Sequence, residues 1–212
     1  MLVSEIFFSI QGESTYAGLP SVFVRLAGCN LSCSWCDTPY ARTTDHAIEM
    51  EVGEVIKRVM VFNSKLIQIT GGEPLLQADA RGLAKKLLDM GYEVLIETNG
   101  SISLEGLDAR IVKIVDVKCP SSGHEGSFLM DNLKWIAAND EVKFVIADRK
   151  DYEFARMFIE EFIKDKTSKT LFAPVTPELK PGALAQWILN DGLKVRLQLQ
   201  LHKEIWEGER GR

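Results

Sequence analysis

An α/β fold arranged as a partial barrel of parallel strands is predicted by three features of the chain. Short runs rich in Val, Ile and Leu alternate with stretches of helical period. The alternation yields about six parallel strands, too few for the eight of a closed barrel. No low-complexity linker or internal repeat divides the 212 residues, so they are expected to form one domain with an N-terminal extension.

The first core strand is read at residues 22–26 (VFVRL), stopping at Ala27-Gly28. A helix follows from Glu51, with Val52, Val55, Ile56 and Val59 on one face. Residues 66–70 (LIQIT) form a strand that runs into Gly71-Gly72. A helix over 80–90 carries Leu83, Leu87 and Leu88 on one face and stops at Gly91. Strands are expected at 92–98, 111–117 and 142–146, with a short helix near 132–138 between the last two. Phe154, Phe158 and Phe162 recur every fourth residue and mark a helix over 152–164 as core packing. A strand at 171–173, a helix over 183–189 and a strand at 193–199 complete the pattern. In folds of this kind the loops at the C-terminal ends of the strands build the site. Four polar or Gly-rich loops fall there: 29–36, 70–74, 98–100 and 118–123.

Composition narrows the partners. The chain is 46% hydrophobic and 26% charged, with 25 Lys+Arg against 30 Asp+Glu and a net charge of -5. No basic stripe stands out, so nucleic acid is not expected. No run of apolar residues is long enough to cross a membrane, and the N-terminal MLVSEIFFSI has no basic leader. A cytoplasmic location is the expectation. Three of the four cysteines are clustered, whereas a disulfide framework spreads them to close loops.

That cluster, AGCNLSCSWCDT, places Cys29, Cys33 and Cys36 in one loop after a strand. A structural zinc site would need a fourth ligand, from Cys119 or a histidine, yet the second ligand pair usual in such sites is missing. Three thiolates on one short loop suit a [4Fe-4S] cluster whose fourth iron is left for a small molecule. The spacing CxxxCxxC, with Trp35 before the last cysteine, resembles the signature of the radical S-adenosylmethionine (SAM) enzymes. In that family the amino and carboxylate groups of SAM chelate the open iron. Gly71-Gly72-Glu73-Pro74 after the second strand resembles the family's motif for the SAM amino group. By itself the stretch is equally a tight turn.

The flanks are similar to one branch of that superfamily, the 7-carboxy-7-deazaguanine synthases. FFSIQGESTYAGLPSVFVRLAGCNLSCSWCDTPY (residues 7–40) carries the resemblance most specifically. QITGGEPLLQ, ETNG, DVKCPSSG and HKEIW extend it over nearly the whole chain. The resemblance implies a radical SAM partial barrel. It also implies conversion of 6-carboxy-5,6,7,8-tetrahydropterin to 7-carboxy-7-deazaguanine, on the route to queuosine and related 7-deazaguanines. A 5'-deoxyadenosyl radical would take hydrogen from C6, the ring would contract, and ammonia would leave.

Carried over by position, Cys29, Cys33 and Cys36 match the cluster ligands. Gly72, Glu73, Trp35, Asn99 and Lys118 match the SAM side. Gln11, Gly12 and Glu13 match the segment holding the pterin, whose amide and amino edge calls for coplanar donors and acceptors. Arg25 matches the partner of the substrate carboxylate, which a guanidinium can bind through two oxygens; its bland alternative is a salt bridge to a neighbouring strand. Thr70 and His202 match further substrate contacts, although His202 also reads as an edge histidine among alternating Leu and Gln. Thr38 matches a magnesium ligand, consistent with a hard cation held by few protein groups. An electron donor such as flavodoxin or ferredoxin and a homodimer are implied by the resemblance alone. His46 and His124 receive no role, and Cys119 is expected to be a buried spectator. Two other readings remain at this point: an activase that places a glycyl radical on a partner protein, and a zinc-stabilised binding module.

Overall fold

A computed structural model describes residues 1–167, 169–207 and 209–211. Nine strands form one sheet in the order β3-β1-β2-β4-β5-β6-β7-β8-β9. They are β1 (Leu2–Ile10), β2 (Pro20–Leu26), β3 (Ile48–Glu49), β4 (Leu66–Gly71), β5 (Glu93–Thr98), β6 (Val112–Asp116), β7 (Glu141–Ile146), β8 (Thr170–Pro174) and β9 (Arg196–Leu197). From β2 to β9, leaving out β3, every neighbouring pair is parallel. The sheet does not close, because β3 and β9 end the order on opposite sides. The expected partial barrel is therefore observed.

Helices α1 (Val52–Val59), α2 (Asp79–Asp89), α3 (Arg149–Phe158) and α4 (Pro181–Asp191) supply apolar residues to one core. Along the strands, alternate residues point to opposite faces. Val24, Ile67, Ile69, Val94, Ile96, Val115, Phe144 and Ile146 belong to the core shared with the helices. Arg25, Gln68, Thr70, Glu97, Asp116 and Lys143 occupy the alternate positions and line a cavity on the other face. The period of two thus separates packing from chemistry within each strand.

Several elements differ from their sequence reading. The N-terminal extension is a strand: β1 pairs antiparallel with β2 and with β3. Gln77 fixes this edge, since its side chain accepts from the Leu2 N–H at 2.8 Å and donates to the carbonyls of Leu2 and Ala27. The expected helix near 132–138 is a 3-10 turn, Met130–Lys134. Asn132 is the reason, because its amide is spent on the loop: it accepts from Leu104 N–H and donates to the carbonyls of Gly100 and Ile102. Helix α3 begins earlier than its phenylalanine pattern, where the Asp148 carboxylate caps the Asp151 N–H at 2.9 Å, and it ends in a π turn, Ile159–Ile163. The strand expected over 193–199 shrinks to β9. Gln198 donates its backbone N–H to the Phe172 carbonyl at 2.8 Å while its side chain accepts from the Ser14 N–H at 2.7 Å, and the chain then forms an unexpected helix, α5 (Leu201–Trp206).

Candidate active site

A cavity of about 310 Å³ opens at the C-terminal ends of the parallel strands. Cys29, Cys33 and Cys36 all line it, each is half-buried, and none is in a disulfide. Their loop is tied at both ends. Gly28 and Cys29 donate backbone N–H groups to the carbonyls of Ala41 and Arg42 at 2.9 and 3.1 Å. Farther along, Trp35 Nε1 donates to Ser121 Oγ at 3.0 Å and Ser34 Oγ to the Ser121 carbonyl at 2.7 Å. Buried Asp151 in turn accepts from the Ser121 N–H at 2.9 Å and from its hydroxyl.

The donor set fits an iron-sulfur cluster. Three thiols face one cavity without a fourth cysteine, since Cys119 is fully buried behind the wall as expected. Among the described residues, the potential ligands whose atoms all lie within 4.8 Å of one another are Glu13, Asp37 and His202, not the cysteines. A single zinc ion would need the thiolates gathered at that range.

Gly71-Gly72-Glu73 leads into a 3-10 turn, Pro74–Leu76, and also ties the cysteine loop to β4. A Cβ on Gly71, which has φ +128°, would lie 2.0 Å from the Leu26 carbonyl oxygen, and one on Gly72 would lie 2.1 Å from that of Gly28. The glycines let β4 seat against the base of the cysteine loop, with Gly72 and Glu73 donating to Leu26 and Gly28 carbonyls at 3.0 and 2.8 Å. The Glu73 side chain is fully buried and off the cavity wall. It accepts from Leu75 N–H, Thr98 Oγ1 and Asn99 N–H at 3.0, 2.8 and 2.7 Å. Burial pushes its pKa up against these donors. The carboxylate clasps the β4 and β5 loops, leaving the backbone of Gly72 on the cavity side. Asn99 lines the cavity and donates to Asn30 Oδ1 at 3.1 Å.

Lys118 faces Trp35 with Nζ 5.2 Å from the ring centroid, and pairs with Asp116 at 2.9 Å. Burial opposes its charge, but Asp116 and Cys33 together outweigh this and raise its pKa. Next to it, Lys143 is only 4% exposed and pairs with Glu13 at 2.8 Å, with Glu97, and with Asp116 at 3.5 Å. Burial disfavours this ammonium too, yet Glu13, Glu97 and Asp116 together hold its pKa well above the ordinary lysine value. For Glu13, burial works upward and Lys143 downward, and the net pKa is lowered. Glu97 also accepts from Gln68 Nε2 and Thr70 Oγ1 at 2.9 and 3.1 Å. Gln11 is buried and donates to Gln68. Asp116 Oδ1 is buried on this wall with no partner among the described residues.

Arg25 makes the salt bridge of its bland reading and also faces the cavity. Its Nε donates to Glu5 on the neighbouring strand at 2.7 Å, and its guanidinium lies 5.5 and 6.0 Å from the ring centroids of Phe7 and Tyr40. Its terminal nitrogens have no acceptor among the described residues, and the side chain lines the cavity. Thr38 also lines it, its hydroxyl donating to Asp37 at 2.8 Å.

The C-terminal segment covers the opposite rim. His202 sits on α5 rather than on an edge strand, directly over Gly12, where a Cβ would lie 2.3 Å from its Nδ1. Gln200 donates to Glu13 at 2.6 Å, and Arg210 stacks on Tyr40 at 4.0 Å. The cavity therefore gathers all predicted site residues except the Glu73 side chain. Glu5, Glu97, Asp116 and Lys143 were not selected from the sequence. Their signal was the one that singled out Arg25: a charge inside an otherwise apolar strand.

The radical SAM superfamily model matches residues 23–117. The chain is 44% identical to the 7-carboxy-7-deazaguanine synthase of Koribacter versatilis, covering 99% of this chain and 98% of that protein. It is also 44% identical to the synthase of Chlorobaculum tepidum, over 96% and 93%. The crystal structure of QueE from Escherichia coli shares the fold, with a TM-score of 0.77 at 20% identity over 93% of each chain. The radical SAM family implies a [4Fe-4S] cluster and SAM, and the three cysteines on this cavity wall suit the cluster. Matched from end to end by relatives of one kind, the chain belongs to the radical SAM superfamily and, within it, to the 7-carboxy-7-deazaguanine synthases.

Proposed function

We propose that the cavity binds 6-carboxy-5,6,7,8-tetrahydropterin beside SAM and converts it to 7-carboxy-7-deazaguanine with loss of ammonia. The observation that carries the reading is the pairing, in one cavity, of three cluster-type cysteines with Arg25, whose terminal nitrogens are unclaimed. A guanidinium fixed by Glu5 at Nε presents its far edge to a carboxylate at no reorganisation cost. In the same cavity Gln11, Glu13 and Thr70, the last beside Arg25 on the next strand, offer donors and acceptors to the amide and amino edge of a pterin, and His202 lies over Gly12.

When bound, the cluster and SAM supply reductive cleavage and hydrogen abstraction at C6; the residues orient and enclose. Cys29, Cys33 and Cys36 would hold the cluster. The Gly72 backbone, Trp35, Asn99 and Lys118 would hold SAM. Glu73 serves that subsite indirectly, by fixing the Asn99 backbone. Thr38 would hold magnesium, where an oxygen donor stands beside the carboxylate of Asp37, the chemistry this hard cation prefers. The reading includes a flavodoxin- or ferredoxin-type donor and a homodimer, both supported by family resemblance.

The test is an anaerobic assay of reconstituted protein with SAM, reductant, magnesium and the pterin. 7-Carboxy-7-deazaguanine in excess of 5'-deoxyadenosine is expected. Slow 5'-deoxyadenosine release without that product would overturn the substrate assignment.

A further inference from the structure

Lys143 has no part in the roles assigned above, yet it is the point where the cavity floor converges. Its neighbours come from three separate elements: Glu13 from the loop after β1, Glu97 from β5 and Asp116 from β6. The inner-face positions one step down β5 and β6, Leu95 and Ile114, are apolar and buried, and the one on β7, Glu141, is buried with Thr15 as its partner. A fold needing only packing has no use for an ammonium at this depth, because burying charge is at best neutral for stability against a well-packed apolar side chain.

We propose that Lys143 is the positioning residue for the acceptor pair Glu13 and Glu97, holding both carboxylates convergent on the donor-rich edge of the substrate. The inference rests on the pterin reading. Without the ammonium, two like-charged carboxylates that now meet on one nitrogen repel each other. Gln200 and Gln198 would then hold Glu13 alone, at 2.6 and 3.3 Å, and Gln68 and Thr70 would hold Glu97. The pair would part, and the substrate edge would lose two acceptors placed side by side. Lys143 thus acts through its partners, while the cysteine loop and the Gly71-Gly72-Glu73 clasp are anchored without it.

The experiment measures anaerobic equilibrium binding of 6-carboxy-5,6,7,8-tetrahydropterin, and separately of SAM, to cluster-loaded wild type, Lys143→Met and Lys143→Gln. Lys143→Met is expected to raise the pterin Kd by roughly a hundredfold, as truncating one member of a buried charge pair does. Iron content, SAM Kd and slow 5'-deoxyadenosine release should be unchanged. Lys143→Gln, which keeps a donor, should fall between, and it carries the same test if the Met variant does not fold. A loaded variant with wild-type pterin affinity, or one that loses pterin and SAM affinity by the same factor, overturns the inference. Failure of the wild type to bind the pterin while binding SAM overturns the substrate reading, and this inference with it.

Discussion

Arg25 illustrates what a single charged side chain inside a strand can carry. Its stem is packed by Phe7 and Tyr40, its Nε is engaged by Glu5, and the remaining edge is directed at the cavity. Glu5 keeps partners without it, in the Tyr40 hydroxyl at 2.7 Å and Arg210. Arg25→Ala should therefore spare the fold and the cluster while raising the pterin KM by roughly tenfold to a hundredfold, the worth of a charge-assisted, two-point contact. Steady-state kinetics of the iron-loaded variant decides this; an unchanged KM would leave Arg25 as a strand-to-strand ion pair. Glu73 teaches the converse at the same scale. A carboxylate in a known ligand motif turns its side chain into the protein, because three donors from its own and the β5 loop surround it.

Among the elements, α5 departs furthest from its sequence reading, and it bears directly on the site. Its first residue donates its N–H to the Gly12 carbonyl at 3.0 Å, so helix and N-terminal loop share one rim of the cavity. Gln200 and His202 reach the substrate side, and Gln200 also donates to exposed Asp37 at 3.3 Å, whereas the backbone of the cysteine loop takes its anchors from Ala41, Arg42 and Ser121. Ending the chain after Leu199 should leave cluster loading and abortive SAM cleavage intact and weaken pterin affinity by roughly tenfold or more. Iron assay, 5'-deoxyadenosine release and pterin titration on one preparation separate these effects. Loss of the cluster on truncation would mean that α5 supports the whole site.

At the scale of the molecule, the open sheet packs one face against α1 to α4 and turns most of its polar strand residues into the cavity, above a smaller apolar cluster of Leu66, Leu95, Val112 and Ile114. The three cysteines lie outside that core, in a loop beyond the end of β2. No helix is long and apolar enough to cross a membrane among the described residues. Because the core is complete without the cluster, anaerobic chelation of iron should abolish SAM cleavage while far-UV circular dichroism and cooperative unfolding persist. Collapse of the dichroism on chelation would make the cluster a structural element, as in metal-dependent small folds.

The sequence by itself determined the order of the parallel strands and of α1 to α4, the cysteine loop after the first parallel strand, and the site's place at the strand ends. Each is encoded locally, in a period of two or 3.6 residues or in a motif read along the chain. Only the tertiary structure decided that the N-terminal extension is a strand, that residues after 200 fold back as a helix over Gly12, and that Glu73 faces inward. It alone brought Lys143 to Glu13, 130 residues earlier, and to Glu97, 46 residues earlier. A buried charge shows in a sequence as an interruption of an apolar run. Its partner does not, because ion pairing depends on distance in space, and the sheet's crossovers set that distance without leaving any period in the chain.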